Sequence, residues 1–177
     1  MNTSEEFDLL AAQCLDIFSK KAIDYGTAWR ILRTPSLTDQ IYIKAQRIRS
    51  IEQKGVAKVH EGVLPEYIGI VNYSVMALIQ LEVGVAETMD EMLPADEAIK
   101  LYTKYLNQAK ELMMNKNHDY GEAWRKMRIS SLTDIILMPV LVSRGRSPSP
   151  VERMSPFAPK DFGMEGPVMS ASRIATL

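Results

Sequence analysis

Two stretches of this chain carry residues able to meet a charged or aromatic ligand, and the two are nearly the same stretch. Residues 21–41 read KAIDYGTAWRILRTPSLTDQI and residues 116–136 read KNHDYGEAWRKMRISSLTDII. At this offset of 95 residues, 13 of 21 positions are identical, where chance at average usage gives about one or two. Each copy opens on a lysine and then holds Asp-Tyr-Gly. Asp24 and Asp119 are ligand types for a metal, or for a base or sugar hydroxyl, with the rings of Tyr25 and Tyr120 beside them. The same residues also make a turn, in which Asp caps the next helix and Gly26 or Gly121 supplies a positive φ. Recurrence at one offset suits both readings. Trp29 and Trp124 offer a face on which a base stacks, although Trp more often fills a core. Lys21, Arg30, Arg33, Lys44, Arg47 and Arg49 make the first copy locally basic, and the second keeps Arg125 and Arg128. Lys44 and Arg47 share a helical face with Ser36 and Gln40. Such a face can grip phosphate, for which Arg has paired donors; its plain alternative is a solvated outer surface.

The elements that must position these residues read as helices. Before the first copy, Phe7, Leu10, Cys14, Ile17 and Phe18 recur on one face; before the second, Leu101, Tyr105, Ala109, Leu112 and Met113 do so. After each DYG a short helix surrounds the tryptophan. Ser36-Leu-Thr-Asp39 and Ser131-Leu-Thr-Asp134 then have the pattern of a serine N-cap with an acidic first turn. The helix that follows in the first copy puts Leu37, Ile41, Ala45, Ile48 and Ile51 inward and stops near Gly55. Residues 56–64 read as a loop or short hairpin. Pro65 suits the first turn of a third helix, with Ile68, Val71, Val75, Leu78 and Ile79 inward. The expected architecture is an all-α bundle of two similar repeats: a first repeat at 4–83, a linker at 84–94, and a second repeat at 95–142 that lacks its last helix. Lys44 aligns with Pro139, and the likeness ends at about Met138. Six of the nine prolines lie at or after Pro139. Residues 143–177 are rich in Pro, Ser, Gly and Arg without a helical or strand period, and are expected to be disordered.

Composition narrows the function classes. A chain of 177 residues with a formal net charge of −1 has no global bias toward nucleic acid or anionic membrane. One cysteine, Cys14, excludes an internal disulfide and a multi-cysteine metal site. With no secretion signal at the polar N-terminus and no spanning apolar run, the expectation is a soluble cytoplasmic protein. The apolar surface left by the missing helix predicts homodimerisation or poor solubility. Phosphate-loop, dinucleotide-fold, HExxH and nucleophile-elbow motifs are absent from the sequence.

The string K-x-x-D-Y-G-x-A-W-R, then SLTD, the basic helix KAQRIRSIE and the segment EYIGIVNYSVMAL resemble the nucleotide modification associated domain 1 family, over roughly residues 5–82 and again 96–138. That resemblance implies a nucleotide as partner. The order of K-x-x-DYG, a basic helix and a helix with N-Y-x-x-x-A-L also resembles the MazG-like all-α nucleoside triphosphate pyrophosphohydrolases, at the level of fold. Those enzymes hold Mg²⁺ with carboxylates on facing helices. Carried onto this chain, the resemblance implies a ligand site at Lys21, Asp24, Tyr25, Gly26, Trp29, Arg30, Lys44, Arg47, Asn72 and Tyr73. The second-copy counterparts are Asp119, Tyr120, Gly121, Trp124 and Arg125. The metal candidates are Asp24, Asp39 and Glu66, with Glu61 also available. The sequence departs from the pattern at Gly69, three residues before Asn72, where MazG-like proteins commonly place an acidic ligand. His60 and His118 lack a paired ligand at metal spacing, and Cys14 falls on an apolar face. The functional expectation is a nucleotide-binding or nucleotide-modification-associated domain, with Mg²⁺-dependent pyrophosphohydrolysis as its catalytic form; the alternative is a non-catalytic helical interaction module.

Overall fold

The computed structural model describes residues 2–55 and 62–145, and every regular element among them is helical. Helix α1 spans Thr3–Tyr25, α2 Thr34–Lys54, α3 Leu64–Val83, α4 Ala95–Tyr120 and α5 Ile129–Gly145; single 3₁₀ turns lie at Ala28–Ile31, Met89–Glu91 and Ala123–Lys126. The expected order of long helix, DYG turn, short helix and long helix therefore occurs twice. Among the described residues the second repeat has no counterpart of α3. Residues 56–61, with His60 and Glu61, and the tail from 146 onward lie outside the described residues.

Helix α1 opens with a reciprocal cap. The Asn2 side chain accepts from the Glu5 backbone N–H, and the Glu5 carboxylate accepts from that of Asn2. The helix stops at Gly26, which takes φ 64°, and α4 stops at Gly121, φ 57°. That is the left-handed region glycine enters without a Cβ penalty. Asp24 and Tyr25 form the last residues of α1 itself, so Asp24 does not cap the following helix. Nor does Ser36 open α2. The helix begins at Thr34 after the uncapped Arg33, with Pro35 in its first turn, because proline's fixed φ starts a helix where its missing N–H costs nothing. The α5 helix likewise begins two residues before Ser131.

Equivalent helices of the two repeats pair with each other. α1 runs antiparallel to α4: Asp8 accepts from Lys110 at 2.6 Å, and Glu6 accepts from Arg125 at 2.7 Å. α2 runs antiparallel to α5, and here the pairing is reciprocal. Arg49 faces Asp134 at 3.8 Å and Asp39 faces Arg144 at 2.9 Å; Asp134 and Arg144 stand 95 residues after Asp39 and Arg49. Contacts that map onto each other when the copies exchange are the mark of a two-fold interface. Exposed pairs of this kind add little free energy and act mainly on register.

Two apolar clusters lie either side of α3. One joins Cys14, Phe18, Val75, Ile79, Ala98, Tyr102 and Leu106. The other joins Ile41, Ala45, Ile48, Ile70, Leu137 and Val140. Leu37, Ile41, Ala45 and Ile48 are buried as their spacing predicts. Elsewhere the inward row is rotated. Ala98, Tyr102 and Leu106 are the buried row of α4, since α1 and α3 grip that helix from two sides. Val71 and Leu10 are exposed. The second long helix also outlasts the sequence likeness: α5 passes through Pro139 to Gly145, beyond the expected limits at Met138 and 142. Its last turn is held by Arg144, whose guanidinium lies 3.8 Å from the Tyr42 ring centre, and by the Ser143 hydroxyl on the Pro139 carbonyl.

Two outcomes test this packing. Leu137 is 1% exposed and its neighbour Met138 is 62% exposed. In denaturant titration, Leu137→Ala is expected to cost about 2–5 kcal/mol and Met138→Ala less than about 0.5 kcal/mol. Glu82, near the end of α3, accepts from Lys104 and Tyr105 of α4 at 2.6 Å each, and these bonds hold its carboxyl below the ordinary 4.5. The folded chain thus binds this proton less tightly than the unfolded chain, so the contribution is full above pH 4.5 and is lost as the pH falls through the lowered folded value. The stability gap between the wild type and Glu82→Gln should close on acidification below pH 4.5.

Candidate functional site

The end of α1, the turn after it, the middle of α2 and the first half of α3 enclose a cleft of about 590 Å³, within the range of small-molecule sites. One wall is the last turn and a half of α1, with Lys21 and Tyr25, followed by Gly26. Trp29, carried on the 3₁₀ turn, forms the next wall. Its ring is tilted against Phe18 at 6.2 Å between centres, so it packs on the core and faces the cleft together. Its indole N–H is buried without an acceptor among the described residues. Lys44 enters from α2. From α3 come Glu66, Gly69, Asn72 and Tyr73.

The polar floor is built around Glu66. Its side chain is 8% exposed, and it accepts from Lys44 Nζ at 3.3 Å and from Arg47 Nη1. A buried carboxylate needs its charge met, and two cations meet this one, leaving the trio at net +1. The Lys44 ammonium also lies 5.9 Å from the Tyr73 ring centre, a cation–π distance. The stem of Lys44 crosses directly over Gly69: a Cβ added there would fall 2.5 Å from Lys44 Cε and 2.6 Å from Cδ. The glycine standing at the expected acidic position is therefore a notch that lets a lysine through.

Asn72 is buried and accepts through Oδ1 from the Tyr102 hydroxyl. Burial holds the Tyr102 phenol well above its ordinary range, so it stays protonated and donates. Its ring stacks on Phe18 at 4.3 Å. Tyr102 belongs to α4, so the second repeat orients a side chain of the first repeat's cleft. No local signal marks this residue in the sequence, because the contact spans thirty positions and two repeats.

The residues singled out in the sequence divide sharply. Lys21, Tyr25, Gly26, Trp29, Lys44, Asn72 and Tyr73 line the cleft together. Asp24 is exposed at the end of α1 and lies outside the lining. Arg30 is 3% exposed and donates to the Gly84 carbonyl, and burial lowers its guanidinium; it secures the linker, as does Thr27 through the Leu93 carbonyl at 2.7 Å. Arg47 reaches the cleft only through Glu66. Asp39 faces α5 and pairs with Arg144. Asp24, Asp39 and Glu66 are thus held apart, and the described residues contain no group of three or more His, Cys, Asp or Glu placed to hold a metal ion. The second-repeat set lies elsewhere. Arg125 is 4.6 Å from the Trp124 ring centre and binds Glu6, Glu122 and Thr3, bonds that raise its guanidinium. Asp119 is 3.3 Å from His118, and Tyr120 is 72% exposed. None of these residues lines the cleft. Burial pushes the Cys14 thiol up, which suits a core residue and not a nucleophile.

Fold and site together define a duplicated all-α domain with a ligand-sized, cation-bearing cleft in its first repeat. The chain belongs to the nucleotide modification associated domain 1 family, whose model matches residues 21–81 and 116–147, more than half of its length. The second match runs through α5 and past Met138. No curated protein and no solved structure matches the chain. No helix among the described residues is long and apolar enough to cross a membrane.

Tyr102→Phe keeps the stack on Phe18 and removes the bond to Asn72. It leaves a buried amide oxygen unpaired, for which about 1–3 kcal/mol is expected by denaturant titration; a loss within error would mean that the bond does not order Asn72.

Proposed function

We propose that the first-repeat cleft binds a nucleotide, with the base against its aromatic wall and the phosphate at Lys44. The observation that carries this reading is the convergence of Lys21, Tyr25, Trp29, Lys44, Asn72 and Tyr73 on one cleft. Family membership, which supplies an association with nucleotide modification, supports it independently. The rings of Tyr25 and Trp29 offer stacking area. The unpaired indole N–H of Trp29 is a donor that a base carbonyl or ring nitrogen would satisfy. Lys44 and Lys21 supply positive charge for phosphate.

Binding is favoured over MazG-like Mg²⁺-dependent pyrophosphohydrolysis, because among the described residues the carboxylates such chemistry requires do not converge. The second reading, an interaction module, is favoured by a different observation: Ile129, Met138 and Val142 of α5 are each more than half exposed, an apolar presence that homodimerisation would cover. Sedimentation of the full chain measures it.

Because this cleft is assembled from the first repeat, binding to it should be one to one. In the Trp124→Phe variant Trp29 is the remaining tryptophan, read selectively by excitation at the red edge of its absorption. Titration with nucleoside mono- and triphosphates should then give a saturable change for at least one nucleotide, at one site per chain. Lys44→Met should weaken it about tenfold or more, and Asp119→Asn should leave it unchanged. No response to any nucleotide, in a chain that melts cooperatively, would leave the interaction module as the better reading.

A further inference from the structure

We infer that this cleft takes its phosphate without a divalent metal, through a lysine–glutamate pair that opens to the ligand. The inference rests on the nucleotide reading above and specifies how the anion is held. Three observations carry it. Lys44 occupies the volume over Gly69, with its Cε, Cδ and Nζ all within 2.9 Å of where a Cβ would stand. The side chain that could have brought a carboxylate to this point is absent, and an ammonium is there instead. Glu66, the acidic residue among the described residues that line the cleft, already accepts from Lys44 and from Arg47. A metal ion would have to displace two cations from a buried carboxylate before it could bind. Finally, Asp39 is committed to Arg144 on the α5 side of α2, so it cannot complete a ligand set around Glu66.

The same arrangement has the charge balance of an anion site. Two cations share one carboxylate, and the Lys44–Glu66 bond, at 3.3 Å, is long for a charged pair. Arg47 alone can keep Glu66 neutralised. A phosphate entering the cleft then competes only for Lys44, exchanging one anionic partner of the ammonium for another while Arg47 stays in place. The Tyr73 ring centre lies 5.9 Å from the ammonium, a cation–π distance. The ligand class is a nucleotide whose phosphate binds as the free anion, with inorganic pyrophosphate as its smallest mimic.

The two ways of holding phosphate predict opposite signs for one substitution. Glu66→Gln removes the competitor for Lys44 and keeps the side-chain shape. If the cleft is a metal-free anion site, pyrophosphate or the responding nucleotide should bind this variant about tenfold more tightly in EDTA. Lys44→Met should weaken binding in EDTA about tenfold or more, and Gly69→Ala, which must push Lys44 aside, should weaken it several-fold. Titration calorimetry of the full chain, with EDTA or with Mg²⁺, reads all of these, and circular dichroism melts verify folding. Should Glu66→Gln not fold, the wild-type comparison decides: equal affinity with EDTA and with Mg²⁺ supports the inference. Binding that appears only with Mg²⁺, or is lost in a folded Glu66→Gln, overturns it while leaving nucleotide binding intact. No binding of any nucleotide under either condition overturns both.

Discussion

A carboxylate taken out of water must have its charge answered, and in this fold the answer sets the relation of α2 to α3. Glu66 sits in the first turn of α3 and is nearly enclosed. Lys44 and Arg47, one turn apart on α2, both reach it. Sliding either helix by a turn would strand the carboxylate, at a cost of several kcal/mol for an unpaired buried charge. Apolar packing between Ile70 and the Ile41–Ala45–Ile48 stripe is less selective, because aliphatic side chains tolerate many registers. The ion trio therefore does for α2 and α3 what Tyr102 and Asn72 do for α4 and α3. Each contact ends on a buried polar side chain of α3, Glu66 or Asn72, both are directional, and both end on the helix that belongs to the two cores.

The duplication gives the molecule its frame and then departs from symmetry where the cleft is. Antiparallel pairing of α1 with α4 and of α2 with α5 puts the copies around an approximate two-fold relation, with Arg49–Asp134 and Asp39–Arg144 as its clearest trace. Strict symmetry would build two clefts. Among the described residues α3 has no second-repeat counterpart, and a cleft of this kind needs that helix for its floor. The second DYG turn also ends its helix on a positive-φ glycine, but its path differs: Gly121 takes ψ 42° where Gly26 takes ψ −158°, and Glu122 after it has φ 56°. Its Arg125 is drawn instead to the start of α1, where Glu6 and Glu122 converge. What remains to the second repeat is support. α4 stacks Tyr102 on Phe18 and orients Asn72, and α5 covers α2.

Much of this was legible in the sequence, and the division has a physical basis. Helix type and order follow from local rules: a 3.6-residue stripe, a glycine after DY, a proline in a first turn. Leu37, Ile41, Ala45 and Ile48 were readable because they form one apolar stripe at helical spacing, and that stripe is the row that is buried. The inward row of α4 was not, because that helix is gripped on two sides and its burial depends on partners distant in the chain. Pro139 reads as a break, yet α5 continues, since the loss of one hydrogen bond is outweighed by the seating of Leu137 and Val140 against α2 and of Arg144 on Tyr42. Most of the cleft was legible through the repeat and the family likeness. Arg30 was misleading: an arginine beside a tryptophan has the same composition whether it faces a ligand or, as here, the carbonyl of Gly84.

Gly69 shows why a departure from a pattern should be read in three dimensions. Along the sequence it registers only as a missing acid, which weakens a metal site and offers nothing in exchange. In space the missing side chain is the condition for Lys44 to cross α3, reach Glu66 and lie beside Tyr73. A bulkier residue would have to displace a four-carbon stem whose charged end is already engaged. The substitution and the lysine are thus one feature: removing a carboxylate from a helix face and admitting a cation over the same spot change the local charge in the same direction. A cleft so altered gains attraction for a free anion by the same change that costs it a ligand for a metal, which is why the loss of the acid does not by itself argue for a cleft without a function.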